Sequence, residues 1–160
     1  VGDATSLGIE LDAKFRLDQA VAGAPPVELR GNLSLYRSRV DGVPGPDNRL
    51  DSQAKATANL GADYRFRGTP LTLGGNLNWV PAYRTRLDES QLLSTGRKTV
   101  FDAYGLWTFS PTVALRVLAS NLGAQDYLSG QVFVEDTLAT RRDTTTPTYT
   151  NWQLRLELKL

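Results

Sequence analysis

Residues 152–160 read Trp-Gln-Leu-Arg-Leu-Glu-Leu-Lys-Leu. Trp152, Leu154, Leu156, Leu158 and Leu160 fall on one side of an extended chain, with Gln153, Arg155, Glu157 and Lys159 on the other. A period of two is that of a β-strand, whose successive side chains point to opposite faces. The alternation recurs upstream, where Leu7, Ile9, Leu11, Ala13, Phe15 and Leu17 oppose Gly8, Glu10, Asp12, Lys14 and Arg16. Further runs cover Val27 to Tyr36, Ala54 to Phe66, Leu71 to Trp79, about Phe101 to Phe109, and Val113 to Ser120, with Leu106 and Leu118 as apolar exceptions on the polar side. These seven runs predict an all-β chain of antiparallel strands.

Composition narrows the function. The 160 residues include no Cys and no His, which removes a thiol nucleophile, a Ser-His-Asp triad, an imidazole base and a Cys/His metal or haem site. No catalytic pair stands out, because Glu10 and Asp12 have Lys14 and Arg16 beside them as ion-pair partners. A non-enzymatic role with no cofactor and no metal is therefore expected. Eighteen Lys and Arg against 17 Asp and Glu leave a net charge of +1, which gives no field for nucleic acid. No apolar run approaches the ~18 residues of a membrane-spanning helix, but barrel strands are only half apolar and remain open. The chain opens on Val1, and no leader pattern precedes the first run, as expected of a processed or cut chain.

A soluble antiparallel sandwich also alternates. Three features favour a transmembrane barrel instead. The runs are ~9–15 residues long, suited to tilted membrane strands. Their polar side carries close-set charges of both signs with Asn, Thr and Gly, as in a wet or plugged lumen, where cross-strand pairing is expected. Aromatics gather at run ends: Tyr64 and Phe66, Trp79 and Tyr83, Trp107 and Phe109, and Trp152. The connections then fix direction. Arg67–Pro70 and Ser110–Pro111 are tight turns and Asp18–Pro26 is intermediate, whereas Arg39–Leu50, Pro81–Lys98 and Asn121 to about Thr148 are long. Outer-membrane barrels have short periplasmic turns and long extracellular loops. Seven strands counted back from a periplasmic C-terminus put Val1 outside the cell, whereas a closed single-chain barrel has an even count. Residues 1–160 are thus expected to be the C-terminal part of a larger barrel, unless an eighth strand lies near Gln131–Thr137.

Two segments resemble a known family. Ser6–Arg16, SLGIELDAKFR, is similar to the Gly-Val/Ile-Glu strand of TonB-dependent outer-membrane receptors. Val100–Tyr127 resembles their penultimate hairpin, which ends in an Asn-Leu-Phe-Asp-Lys-Asp-Tyr-like motif. Asn121, Leu122, Asp126 and Tyr127 match it, and Gly123 stands where the family has Phe. The last run, carried by Trp152, Leu154, Leu156, Leu158 and Leu160, resembles the family's barrel-assembly signal, with Leu160 in place of the usual Phe. The resemblance implies a plugged barrel of about 22 strands in the bacterial outer membrane, importing a scarce nutrient, foremost a ferric siderophore. It also implies partners: outer-membrane lipid, the receptor's own plug and remaining strands, the barrel-assembly machinery and the TonB complex. The plug and TonB box are expected upstream, outside this chain. The rival readings are a small closed barrel acting as an adhesin or structural module, an outer-membrane enzyme, and a soluble carbohydrate-binding sandwich.

Ligand contacts are expected in the long loops. Asp41-Gly-Val-Pro-Gly-Pro-Asp47-Asn48-Arg49 offers the carboxylate and carbonyl oxygens that hard cations or a ligand use. Its spacing matches no EF-hand, and it reads first as a turn-rich surface loop. Asp41, Asp47 and Arg49 are its candidates, and the cluster Arg141, Arg142 and Asp143 in the last loop could meet an anionic chelate through bidentate hydrogen bonds. The facing assignment has a direct test. Leu156→Arg places a cation on the lipid face at a cost of about 2–4 kcal/mol and should block assembly, whereas Gln153→Arg should be mild. Equal assembly of the two in a heat-modifiability gel would refute the facing.

Overall fold

The computed structural model describes residues 3–159. In chain order its elements are β1 (Ala4–Arg16), the one-turn helix α1 (Leu17–Ala20), β2 (Glu28–Val40), β3 (Ala56–Arg65), β4 (Leu71–Val80), β5 (Tyr83–Arg86), β6 (Gln91–Thr95), β7 (Lys98–Ser110), β8 (Val113–Ser120), β9 (Tyr127–Glu135), β10 (Leu138–Thr146) and β11 (Asn151–Leu158). They form two antiparallel sheets: seven strands in the order β1-β2-β3-β4-β7-β8-β11, and four in the order β10-β9-β6-β5. The larger sheet contains all seven expected strands. Its row through Phe15, Leu29, Ala62, Gly75, Ala103, Ala119 and Trp152 joins the next-to-last residue of β1 to the second residue of β11. That stagger is the geometry of tilted strands curling toward a barrel. The barrel is not closed, since β1 and β11 are open edges among the described residues.

Paired residues in adjacent strands share a face, so the register extends the alternation across the whole sheet. The apolar face is bare. Leu7, Leu60, Leu154 and Phe109 are each about two-thirds exposed, and among the described residues only Ala56 and Ala119 are buried apolar side chains. A water-soluble sheet would cover such a continuous surface.

The opposite face is tied by polar side chains. Arg30 of β2 pairs with Asp63 of β3, which also accepts the hydroxyl of Tyr104 from β7 at 2.5 Å. The Arg116 guanidinium of β8 lies 4.8 Å from the centre of the Tyr104 ring and donates to Glu157 of β11 at 2.6 Å. Two glycines make room for this belt. A Cβ at Gly61 would stand 2.6 Å from the Arg30 Nε, and one at Gly74 of β4 would collide with both Asp63 and Tyr104. A second row links Asn32, Asn59 and Asn78, and Tyr36 donates to Glu10 at 2.9 Å. Leu106 and Leu118, the two exceptions in the pattern, do face this side, opposite Arg116 and Tyr104.

Three expectations require correction. The long segments Pro81–Lys98 and Asn121–Thr148 are not simple loops, because they contain β5, β6, β9 and β10. Gln131–Thr137 does lie largely in strand β9, but β9 pairs with β6 and β10 in the smaller sheet, so no eighth strand joins the larger one. The Asp18–Pro26 link begins in helix: α1 includes Asp18, whose carboxyl is held below its usual range by the Arg16 side-chain hydrogen bond. Strand β10, Leu-Ala-Thr-Arg-Arg-Asp-Thr-Thr-Thr, is exposed at every position. It has no buried face to impose the period by which strands are recognised.

The belt makes a glycine indispensable at one place. Gly74→Ala should separate Asp63 from Tyr104 and lower the folded barrel's stability by roughly 1–3 kcal/mol. Gly105→Ala, on the apolar face, meets only Leu73 at 3.4 Å. Urea melting of the two variants should show a lowered midpoint for Gly74→Ala alone, and equal midpoints would contradict the belt.

Candidate functional site

The smaller sheet is built from two of the three long connections, β4 to β7 and β8 to β11, and it stands at the loop end of the larger sheet. Between the smaller sheet and the β2–β3 connection lies an open cleft of about 670 Å³. One cross-strand row of the smaller sheet runs Arg84, Ser94, Gly130, Asp143 and lines that cleft. Glycine is needed in the row, since a Cβ at Gly130 would stand 2.5 Å from Ser94 Oγ and 2.8 Å from Asp143 Oδ1. Arg141, two residues along β10, shares this face and donates through Nε to both Asp143 oxygens at 3.0 and 2.9 Å.

Asp47 and Lys55 enter the same cleft from the β2–β3 connection, with Lys55 Nζ 3.9 Å from Asp47 Oδ1. Asp47 has a left-handed backbone, φ 71°, and its carbonyl accepts the N–H groups of Arg49 at 2.8 Å and of Arg86 at 2.7 Å. The second bond fastens the loop to β5. Nearby, Asp88 accepts both the Ser90 hydroxyl and N–H, and those bonds hold its carboxyl below the usual range while closing the turn into β6.

The structure therefore unites Asp47 and Arg141, two candidates ninety-odd residues apart in the chain. It separates the others. Arg49 is buried and donates to the Tyr36 carbonyl at 3.1 Å, which makes it a clamp beneath the loop. Asp41 is exposed beside Arg39 at 3.7 Å and lies outside the cleft. Arg142 was expected in a loop with Arg141, but both are strand residues of β10. Alternation turns Arg142 to the other face, opposite Gln131. Asp143, named with Arg141 in the sequence, does join the cleft, whereas Arg84 and Ser94 escaped the site selection because β5 and β6 are short and carry no apolar alternation. In β11, Trp152, Leu154, Leu156 and Leu158 line the exposed apolar face, and Leu160 lies outside the described residues.

The motif from Asn121 to Tyr127 closes the loop end of β8. Asn121 takes a left-handed φ of 57°, receives the Asp102 carboxylate on its N–H at 2.8 Å, and donates from its side chain to the Tyr149 carbonyl at 3.1 Å. Asp126 accepts the Thr148 N–H at 3.3 Å. Gly123 is left-handed too, φ 65°, a conformation that glycine adopts without the penalty a side chain would bring.

The cleft brings cations (Lys55, Arg84, Arg141), carboxylates (Asp47, Asp143) and hydroxyls (Ser94, Ser129, Thr144) to one surface. In comparison with known proteins, a family described as TonB dependent receptor-like, beta-barrel matches residues 1–122. No curated protein and no solved structure matches. With the staggered seven-stranded sheet, its bare apolar face and its polar belt, the chain belongs to the TonB-dependent receptor β-barrel family, a family of bacterial outer-membrane receptors.

Proposed function

We propose that residues 1–160 form the C-terminal part of the barrel of a TonB-dependent receptor that binds and imports a ferric siderophore, and that the cleft between the smaller sheet and the β2–β3 connection is part of its ligand-facing surface. The observation that carries this reading is the convergence of Asp47, Lys55, Arg84 and Arg141 from three separate connections at the loop end. Guanidinium groups there suit the anionic oxygens of a ferric chelate. The open edges at β1 and β11 support a larger barrel, because after six antiparallel steps these strands run in the same direction and cannot close on each other by antiparallel pairing. They give no support to a small closed barrel.

In this reading the polar belt faces the lumen and meets the plug, which lies upstream and couples to TonB. Strand β11 carries the signal read by the barrel-assembly machinery, and the apolar face meets outer-membrane lipid.

Arg141 and Arg142 supply a matched test on one strand. In the assembled receptor, Arg141→Ala should weaken binding of a ferric hydroxamate or catecholate about tenfold or more, the loss expected of a charged hydrogen bond, while Arg142→Ala should change it less than twofold. Radio-iron uptake into cells measures both. Uptake unaffected by Arg141→Ala, or saturable uptake of an iron-free nutrient in place of iron, would refute the assignment.

A further inference from the structure

The apolar face of the larger sheet has one departure from neutrality. Among the residues that the register places on that face in all seven strands, only Arg37 and Arg39 are charged. Both stand at the loop end of β2, where Arg37 is opposite Leu7 and Arg39 opposite Thr5. The apolar band lies directly below them, with Leu7 67% and Leu35 44% exposed. Neither arginine has an acid across the strand pair. Among the described residues Arg37 has no carboxylate within 4.0 Å, and Arg39 has only Asp41 at 3.7 Å, with both side chains largely exposed. A recess of about 830 Å³ at this end of β2 is lined by both arginines together with Arg49 and Lys55, and Asp47, the one acid among its lining residues, is already beside Lys55.

A guanidinium on a lipid-facing strand end can lay its aliphatic stem along the apolar band and hold its head at the headgroup level. Its planar fork matches phosphate oxygens bidentately. We infer that Arg37 and Arg39 form a binding site on the outer wall of the barrel for the phosphate groups of a phosphorylated glycolipid of the outer leaflet. The occupant follows from position and charge: the site is continuous with the lipid-facing surface, lies at its upper edge, and carries an uncompensated positive charge. Arg37 and Arg39 take this role only if the loop end faces outward, as the loop lengths imply; the identity of the imported nutrient does not enter.

The experiment is native mass spectrometry of the receptor bearing this chain, extracted from outer membranes and presented with lipid A carrying two phosphates or with the same lipid after both phosphates are removed. The wild-type receptor should hold the phosphorylated lipid about thirtyfold more tightly, and added salt should reduce the difference. R37Q/R39Q should bind the two lipids alike, and R37K/R39K should keep part of the preference. A wild-type receptor with no preference, or R37Q/R39Q retaining the full one, would overturn the site. Heat-modifiability gels separate the two levels of failure. A folded band without phosphate preference removes only the lipid site, whereas no folded, detergent-extractable species removes the outer-membrane barrel itself. Should R37Q/R39Q not fold, the wild-type comparison of the two lipids still decides.

Discussion

Everything in this molecule depends on a two-faced sheet that cannot bury either face within itself. Seven strands pair edge to edge, so the peptide groups of the five inner strands bond each other, and only the outer edges of β1 and β11 still require partners. Their side chains then divide by alternation into an apolar surface and a polar one. In water the apolar surface would be a severe liability. In a bilayer it is the condition for insertion, and the polar surface becomes the wall of an enclosed interior. Stability is consequently not that of a packed core, since hardly any apolar side chain among the described residues is buried. It comes from strand pairing, from the match to lipid, and from side-chain ties such as Arg30–Asp63–Tyr104 and Arg116–Glu157. Each pair alone is worth little when exposed, but a connected row across neighbouring strands fixes the register cooperatively.

The same division assigns the functional parts. The polar belt is inside the barrel wall, the short turns are at one end, and the long connections at the other fold into a second sheet that has its own polar cleft. In the proposed reading, binding chemistry sits on elements outside the spanning strands, where insertions and polar residues disturb the barrel little. The β5 and β6 hairpin and the β9 and β10 hairpin come from different connections but pair through β6 and β9, so the cleft has a hydrogen-bonded wall.

How much was legible in the sequence follows from this. All seven spanning strands were, because each presents mainly apolar residues at every second position to lipid, as in Leu7 to Phe15 and Trp152 to Leu158. Even Leu106 and Leu118 fell on the side the pattern assigned them. The smaller sheet was not legible, since neither face of β10 meets lipid or a core and its Thr-Arg-Arg-Asp-Thr sequence carries no period. The cleft suffered the same fate in part. Asp47 and Arg141 stood out as charged loop residues, but Arg84 and Ser94 become site residues only through pairing that no local pattern announces, and Arg49 is buried by a loop conformation that composition does not specify.

The central claim is that alternation along β11 separates lipid from lumen. Residues 1–160 contain no cysteine, so single cysteines introduced at positions 152–158 are the only labelling sites in this chain, and the receptor without them gives the background. Labelling of the membrane-assembled receptor with a charged, water-soluble maleimide should follow a period of two, fast at 153, 155 and 157 and slow at 154, 156 and 158. Uniform labelling, or the opposite phase, would contradict the account.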